Sequence, residues 1–217
     1  MTHGRRHLLI SVLSLPFIAA CNRIATAGGG TKQTSPKPSA DLYQCEGCDG
    51  AFERPSSNMD WHTEMAEAAE PGQEFVFEGV VYQVDGKSPA PGIVLYAYHT
   101  NAEGLYANGT KETEWSRRHG RLRGWVKTDA NGRYRFKSIK PAPYPNDILP
   151  AHVHITVLEP TKRPYWIDDI VFNGEFGVTE KYRTSMIDKG GNGITQLERS
   201  PSGTWLAHRD IVLGRHP

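Results

Sequence analysis

Three cysteines in 217 residues are too few to staple a small domain with a disulfide framework. A basic excess is missing as well. Twenty-five Lys+Arg stand against 24 Asp+Glu, a net charge of +1, so the chain lacks the electrostatic footprint of a nucleic-acid-binding protein. Long apolar runs are absent apart from one at the N-terminus, which excludes a multi-span channel or transporter. No tandem repeat and no long amphipathic helix occurs in the body of the chain. What remains is enough for a core: 38% of residues are hydrophobic and 23% charged, in a length that suits one domain with an appendage. Glycine and proline are plentiful, at 22 and 15, which points to many turns.

The N-terminus reads as an address. Arg5 and Arg6 form a positive start, and Leu8 to Ala20 form an apolar stretch shorter than an ordinary membrane span. Residues 1–20 are therefore expected to be a signal peptide. The sequence Ile18-Ala19-Ala20-Cys21 resembles the lipobox of bacterial lipoproteins, so Cys21 is the expected lipid-bearing first residue of an exported, periplasmic or outer-membrane-anchored protein. An ordinary signal peptide is the alternative. Loss of Arg5 and Arg6 with no acidic residue would turn the net charge from +1 to −1. Residues 21–40, with Gly28-Gly29-Gly30 and scattered Ser, Thr and Pro, read as a flexible linker.

From residue 73 the pattern becomes one of short strands. Phe75 to Tyr82, Ile93 to Tyr98, Gly124 to Thr128, Arg133 to Phe136, Ala151 to Glu159, Ile167 to Phe172 and Trp205 to Leu213 are rich in β-branched and aromatic residues. Asp85-Gly86 and Asp129-Ala130-Asn131-Gly132 mark turns between them. The fold class expected for 73–217 is all-β, a β-sandwich. Before it, residues 41–72 form a short irregular segment with Cys45-x-x-Cys48 and a predicted helix from Asn58 to Ala69, capped by Ser57 or Asn58 and closed by Pro71-Gly72. Cys45 and Cys48 read as a local disulfide of an exported protein, with free thiols the alternative. A zinc site made of four cysteines is excluded within one chain because no second pair exists.

The stretch that carries chemistry is Pro141-Ala142-Pro143-Tyr144-Pro145 followed by Pro150-Ala151-His152-Val153-His154. Side chains alternate along a strand, so His152 and His154 share a face, which is good chelating geometry for a transition metal. A lone His-x-His also describes two ordinary surface histidines. Spacing does not single out Tyr106 and Tyr144 among the nine tyrosines.

These motifs and their order resemble the intradiol ring-cleaving dioxygenases. The matching text includes Gly79-Val80-Val81-Tyr82, Tyr96-Ala97-Tyr98-His99-Thr100-Asn101, Gly104-Leu105-Tyr106, Gly124-Trp125-Val126-Lys127-Thr128-Asp129, Gly132-Arg133-Tyr134-Arg135-Phe136, Pro143-Tyr144-Pro145 and Pro150-Ala151-His152-Val153-His154. It extends over roughly residues 74–213. The resemblance implies a mononuclear Fe(III) site made by Tyr106, Tyr144, His152 and His154, with Tyr144 also catalytic. It implies cleavage of a small aromatic diol between its two hydroxylated carbons with O2, giving a muconate-type diacid. Tyr144 would leave the metal and take a proton as the diol binds through both oxygens.

Two departures accompany the resemblance. The loop between Tyr144 and the histidines is short, Asn146-Asp147-Ile148-Leu149, and Leu149 stands where family members usually carry a substrate-orienting arginine. Arg121, Arg123 and Arg133 are candidates to supply a cation instead. His99 and His119 are candidates for groups that back the site or touch substrate, whereas His62 and His208 read as ordinary surface histidines. Trp125, Tyr134 and Phe136 read as core, and Arg117-Arg118 as part of a solvated loop. A non-catalytic exported binding module that keeps the scaffold is the alternative function.

Overall fold

The computed structural model describes Cys45 and residues 47–214. The expected leader, Cys21 and the expected linker lie outside the described residues. Among these, twelve strands and two short helices occur in the order β1 (His62–Glu64), β2 (Glu74–Tyr82), β3 (Val94–His99), α1 (Glu114–His119), β4 (Arg123–Lys127), β5 (Arg133–Ile139), β6 (His152–Leu158), β7 (Tyr165–Trp166), β8 (Ile170–Phe172), α2 (Glu180–Ser185), β9 (Ile194–Thr195), β10 (Leu197–Arg199), β11 (Trp205–His208) and β12 (Ile211–Val212).

The strands form two sheets. The first runs β1-β5-β2-β11-β10, with β12 also on β2, and the second runs β4-β3-β6-β8-β9, with β7 also on β6. The period-two pattern sends Phe75, Phe77 and Val81 of β2 and Tyr134 and Phe136 of β5 into one cluster with Leu95 and Ala97 of β3 and Val153, Ile155 and Val157 of β6. Phe77 stacks on Phe136 at 4.7 Å within the first sheet, and Phe75 meets Phe172 of the second sheet edge-on at 5.4 Å. The all-β sandwich is therefore as expected, with few helices.

Alternation has a second consequence. The residues of opposite parity, Tyr96 and Tyr98 on β3, Trp125 on β4 and His152 and His154 on β6, lie on the outer face of the second sheet. There Tyr96 and Trp125 are buried against Ala51, with Met59 and Tyr98 packed alongside. Ala51 belongs to a 3-10 turn over Cys48–Glu53. The N-terminal segment thus covers part of that outer face and makes a second, smaller core. Trp125 belongs to this core, not to the one that holds Tyr134 and Phe136.

The predicted helix from Asn58 to Ala69 does not form. Ser56–Asn58 is a single 3-10 turn, and His62–Glu64 is β1, parallel to β5. Local capping signals favoured a helix, but tertiary pairing wins. The Asp60 and Trp61 carbonyls accept from Lys127 and Arg135, and the Met65 N–H donates to Lys137. The side chains alternate, with Met65 buried and His62 and Glu64 exposed. Two other expectations shift. Ile167 to Phe172 is strand only from Ile170, and Trp205 to Leu213 breaks into β11 and β12 at Arg209-Asp210. At that break the Arg209 carbonyl accepts from the Tyr134 hydroxyl at 2.7 Å and occupies the place where a Cβ on Gly79 would stand, so only glycine fits beside it. Arg117 and Arg118 are exposed as expected, but on α1.

His99, at the end of β3, crosses the sandwich. Its Nδ1–H donates to the Thr100 carbonyl at 2.7 Å and its Nε2 accepts from the Ser138 hydroxyl of β5 at 2.8 Å. That tautomer is neutral, and burial lowers its pKa from 6.5 to about 4. In the unfolded chain the imidazole takes up a proton near pH 6.5. The stability it contributes is whole above pH 6.5 and is lost as the pH falls toward 4, in all about 3 kcal/mol. His119, lowered to about 4 by burial, acts in the same direction. Urea unfolding at pH 7 and pH 5 is expected to give a lower midpoint at pH 5, with a smaller difference in His99→Gln. Equal midpoints for the native sequence would refute this.

Candidate metal centre

The site stands on β6 and on two loops that the fold ties together. The Thr100 hydroxyl donates to the Ala142 carbonyl at 2.6 Å, and the Ala142 N–H donates to the Asn101 carbonyl at 3.2 Å. Gly104 has φ 79°, and the Pro143 carbonyl oxygen sits where its Cβ would be. Glycine at 104 therefore lets the loop carrying Tyr106 press against the loop carrying Tyr144. Asn101 Oδ1 shapes the first loop by accepting from Glu103 and Leu105. In the second, Asp147 Oδ1 accepts from the N–H groups of Ile148 and Leu149.

The consequence is a closed ring of four donor atoms. Tyr106 Oη lies 2.7 Å from Tyr144 Oη, which lies 3.2 Å from His152 Nε2. His152 Nε2 is 3.1 Å from His154 Nε2, which is 3.0 Å from Tyr106 Oη. All four residues named from the sequence are brought together, the histidines by strand alternation and the tyrosines by the loops.

The other ring nitrogens fix the tautomers. His152 Nδ1 is 2.7 Å from the Pro150 carbonyl, which can only accept, so Nδ1 bears the proton. His154 Nδ1 is 2.9 Å from Asp169 Oδ1. Both Nε2 lone pairs then face the centre of the ring, and burial, with the neighbouring His154, lowers the His152 pKa and keeps that imidazole neutral. The two phenols bring only two protons for four close contacts, and the Nε2–Nε2 contact has none. Burial raises both phenol pKa values, Tyr106 the more. A cation at the centre would resolve the mismatch. Donors about 2.0–2.2 Å from one first-row ion and roughly at right angles stand about 3 Å apart, as these do. Two phenol oxygens and two imidazole nitrogens suit a hard or borderline ion in preference to a thiophilic one.

Asp169 is the residue that sequence reasoning missed. The β6–β8 register pairs His152 with Val171 and Val153 with Ile170, so the next position sets Asp169 opposite His154. Burial opposes its ionisation, but His154, His152 and Arg209 outweigh this and hold its pKa below the ordinary value. An ionised Asp169 fixes the His154 ring and strengthens it as a donor, an arrangement common to metal-binding histidines. No spacing in the sequence marks it, since the partner lies 15 residues away on another strand.

Behind His154 runs an aromatic stack. Tyr98 lies 4.5 Å from His154, and His119 lies flat on Tyr98 at 3.8 Å, 5° from parallel. His119 thus backs the site, whereas His99 is a sandwich residue. The three arginines considered as substitute cations are engaged elsewhere: Arg121 with Glu70, Arg123 with Glu53 and Arg133 with Asp129. His62 and His208 are exposed, as expected. Cys45 and Cys48 form a disulfide. Cys45 lines a cavity of about 310 Å³ beside His154 and Asp169.

A family model for dioxygenases matches residues 51–189. Catechol 1,2-dioxygenase 2 of Acinetobacter lwoffii is 29% identical over 157 residues, covering 60% of this chain and 55% of that protein. The structure of catechol 1,2-dioxygenase from Pseudomonas arvilla C-1 is similar with a TM-score of 0.53 at 24% identity, over 71% of this chain and 56% of that one. The dioxygenase domain of a dioxygenase–carbohydrate-binding protein fusion from Streptomyces sp. SirexAA-E gives 0.50 at 20% identity, over 70% of this chain and 86% of that one. The structural likenesses concern the fold, and the chain spans about half the length of the catechol dioxygenases it matches. The family match, by contrast, takes in both tyrosine loops, the histidine strand and Asp169 in one run of sequence. This chain belongs to the intradiol dioxygenase family.

Proposed function

We propose that the chain is an Fe(III) dioxygenase that opens the ring of a catechol-type diol between its two hydroxylated carbons, with O2, to give a muconate-type diacid. The observation that carries this reading is the closed ring of Tyr106, Tyr144, His152 and His154 donor atoms, with both Nε2 lone pairs turned inward. Ferric iron, when bound, supplies the Lewis acidity that lets the diol bind as a dianion and makes its ring reactive toward O2.

The chain's own groups divide the remaining work. His152 and His154 hold position through the Pro150 carbonyl and Asp169. Tyr106, packed against Tyr98 at 5.9 Å, is the inner phenol and stays in place. Tyr144 sits on the short exposed loop and is the phenol that can swing away. Once away, its Oη is a phenolate that accepts a proton from one substrate hydroxyl. An ordinary phenol pKa of ~10 makes it a competent base once it has left the ring.

The test offers catechol, 3,4-dihydroxybenzoate and hydroxyquinol to iron-loaded protein and records O2 uptake with product identity. One O2 consumed per diol, with a diacid cleaved between the hydroxylated carbons, is expected. Tyr144→Phe is expected to lose at least about a hundredfold in rate. Cleavage outside the diol refutes the reading. No uptake with any diol favours a non-catalytic binding module.

A further inference from the structure

The disulfide has no part in the main core or in the donor ring, yet it sits on the face from which the histidines project. The β3–β6 register sets Tyr96 opposite Thr156 and Tyr98 opposite His154. Cys48 covers the first of these pairs: it is buried, with its Sγ 3.8 Å from Thr156 Oγ1. Cys45 is half-buried and lines the cavity beside His154. The turn that follows Cys48 is short and has no side-chain cap at its start. It is fastened to the face by the Trp125 indole N–H, which donates to the Gly50 carbonyl at 3.0 Å.

Gly47, inside the disulfide loop, presses on His119. A Cβ at 47 would stand 2.6 Å from His119 Nε2 and 3.4 Å from Tyr98 Oη. The His119 ring cannot retreat, since it lies flat on Tyr98 and its Nδ1 is 2.7 Å from Tyr96 Oη. Tyr98 in turn packs on His154. The next residue, Gly120, reaches a second donor: a Cβ there would stand 3.0 Å from the Tyr106 Cα. One line of contacts therefore runs from the disulfide loop through His119 and Tyr98 to His154, with a branch to Tyr106.

We infer that the Cys45–Cys48 bond clamps this line from outside, and that the metal centre is tight only while the bond is closed. The inference rests on the ferric site of the preceding section. An external dithiol opens the clamp. Its thiolate attacks Cys45 Sγ, the more accessible sulfur, and the Cys45–Cys48 bond breaks with Cys48 leaving. Closure of the dithiol's own disulfide then releases Cys45, so two electrons and two protons have passed to the protein. The loop is freed, His119 loses its backing, and the His154 ring loses its fixed neighbour. The site thereby acquires a sensitivity to thiol redox state that its four donors alone do not have.

Chelator competition with ferric iron, with the tyrosinate-to-iron band recorded, compares the native chain with the Cys45→Ser/Cys48→Ser double variant. The double variant is expected to bind iron about tenfold more weakly, with a shifted band. A bond that only stabilised the fold would lower the unfolding temperature and leave the spectrum alone. His119→Ala, with the disulfide intact, is expected to lose a similar amount. The triple variant should lose little more, because bond and ring act along one line of contacts. Amide hydrogen exchange of the metal-free native protein needs no variant and keeps the dithiol away from ferric iron. Dithiothreitol is expected to speed exchange of the Gly50 and Gly120 N–H groups, which donate to the Gly47 and Ser116 carbonyls, and to change nothing in the double variant. Unchanged affinity and band in the double variant, full additivity in the triple variant, or exchange that ignores the dithiol once the thiols are free overturns the inference and leaves the ring-cleaving reading intact. Native protein that binds no ferric iron in the same titration refutes the site assignment instead.

Discussion

His154→Ala is expected to abolish tight iron binding while leaving the sandwich folded. The side chain is one of the four donors, and its removal also strands Asp169 without its imidazole partner. Changes one step beyond the ligands commonly cost 10–100-fold in metal affinity, so loss of a ligand should exceed about a hundredfold. Stability should change little, because His154 lies on the outer face and is partly exposed, outside the main core. His152→Ala should behave the same way toward iron. Tyr144→Phe is the instructive contrast: in the proposed reaction Tyr144 is the donor that a diol displaces, so iron should stay bound more firmly than in the histidine variants, and the charge-transfer band should keep only the contribution of Tyr106. Metal content after gel filtration, the visible spectrum and thermal unfolding of the metal-free proteins check all three. Full iron occupancy in His154→Ala would remove it from the ligand set.

The histidine pair was legible because its geometry is local: two residues apart in a strand means one face. The tyrosines were not legible in that way. Tyr106 and Tyr144 reach the histidines through loops whose approach depends on Gly104 lying against Pro143, a contact between distant parts of the chain that no periodicity encodes. Only the family resemblance named them. The predicted helix at 58–69 failed for a related reason. Its caps were genuine short-range signals, but the segment finds more backbone partners beside β4 and β5 than within itself. The sandwich could be read from the alternating strands, yet alternation alone did not say what would cover the outer face of the second sheet. That face is occupied by the N-terminal turn over Tyr96 and Trp125, and the histidines of the site project from the same face. Asp169 was hidden because its role follows from strand register, which is settled only when β8 docks on β6.

Asp169→Asn is expected to weaken iron binding by about 10–100-fold with little effect on the fold of the metal-free protein. The substitution keeps size and shape, and the close approach of residue 169 to Gly193 is made by its backbone carbonyl, which the substitution leaves in place. It removes the negative charge that lies 2.9 Å from His154 Nδ1. With a carboxylate there, the imidazole donates its Nδ1 proton, keeps its Nε2 lone pair inward and becomes a stronger donor. A neutral amide offers a weaker acceptor and can turn its NH2 toward the ring, which no longer selects one tautomer. A merely structural residue would change stability and leave the spectrum alone. A positioning residue should do the reverse: a less electron-rich His154 leaves the ferric ion more electron-poor, which moves the tyrosinate-to-iron band to longer wavelength. Asp169→Glu, which restores the charge on a longer arm, should recover part of the affinity and part of the shift. Chelator competition gives the affinity, the visible spectrum gives the band, and thermal unfolding of the metal-free proteins gives the control. An unchanged band with unchanged affinity in Asp169→Asn would reduce Asp169 to a bystander and leave His154 oriented by Tyr98 and the strand alone.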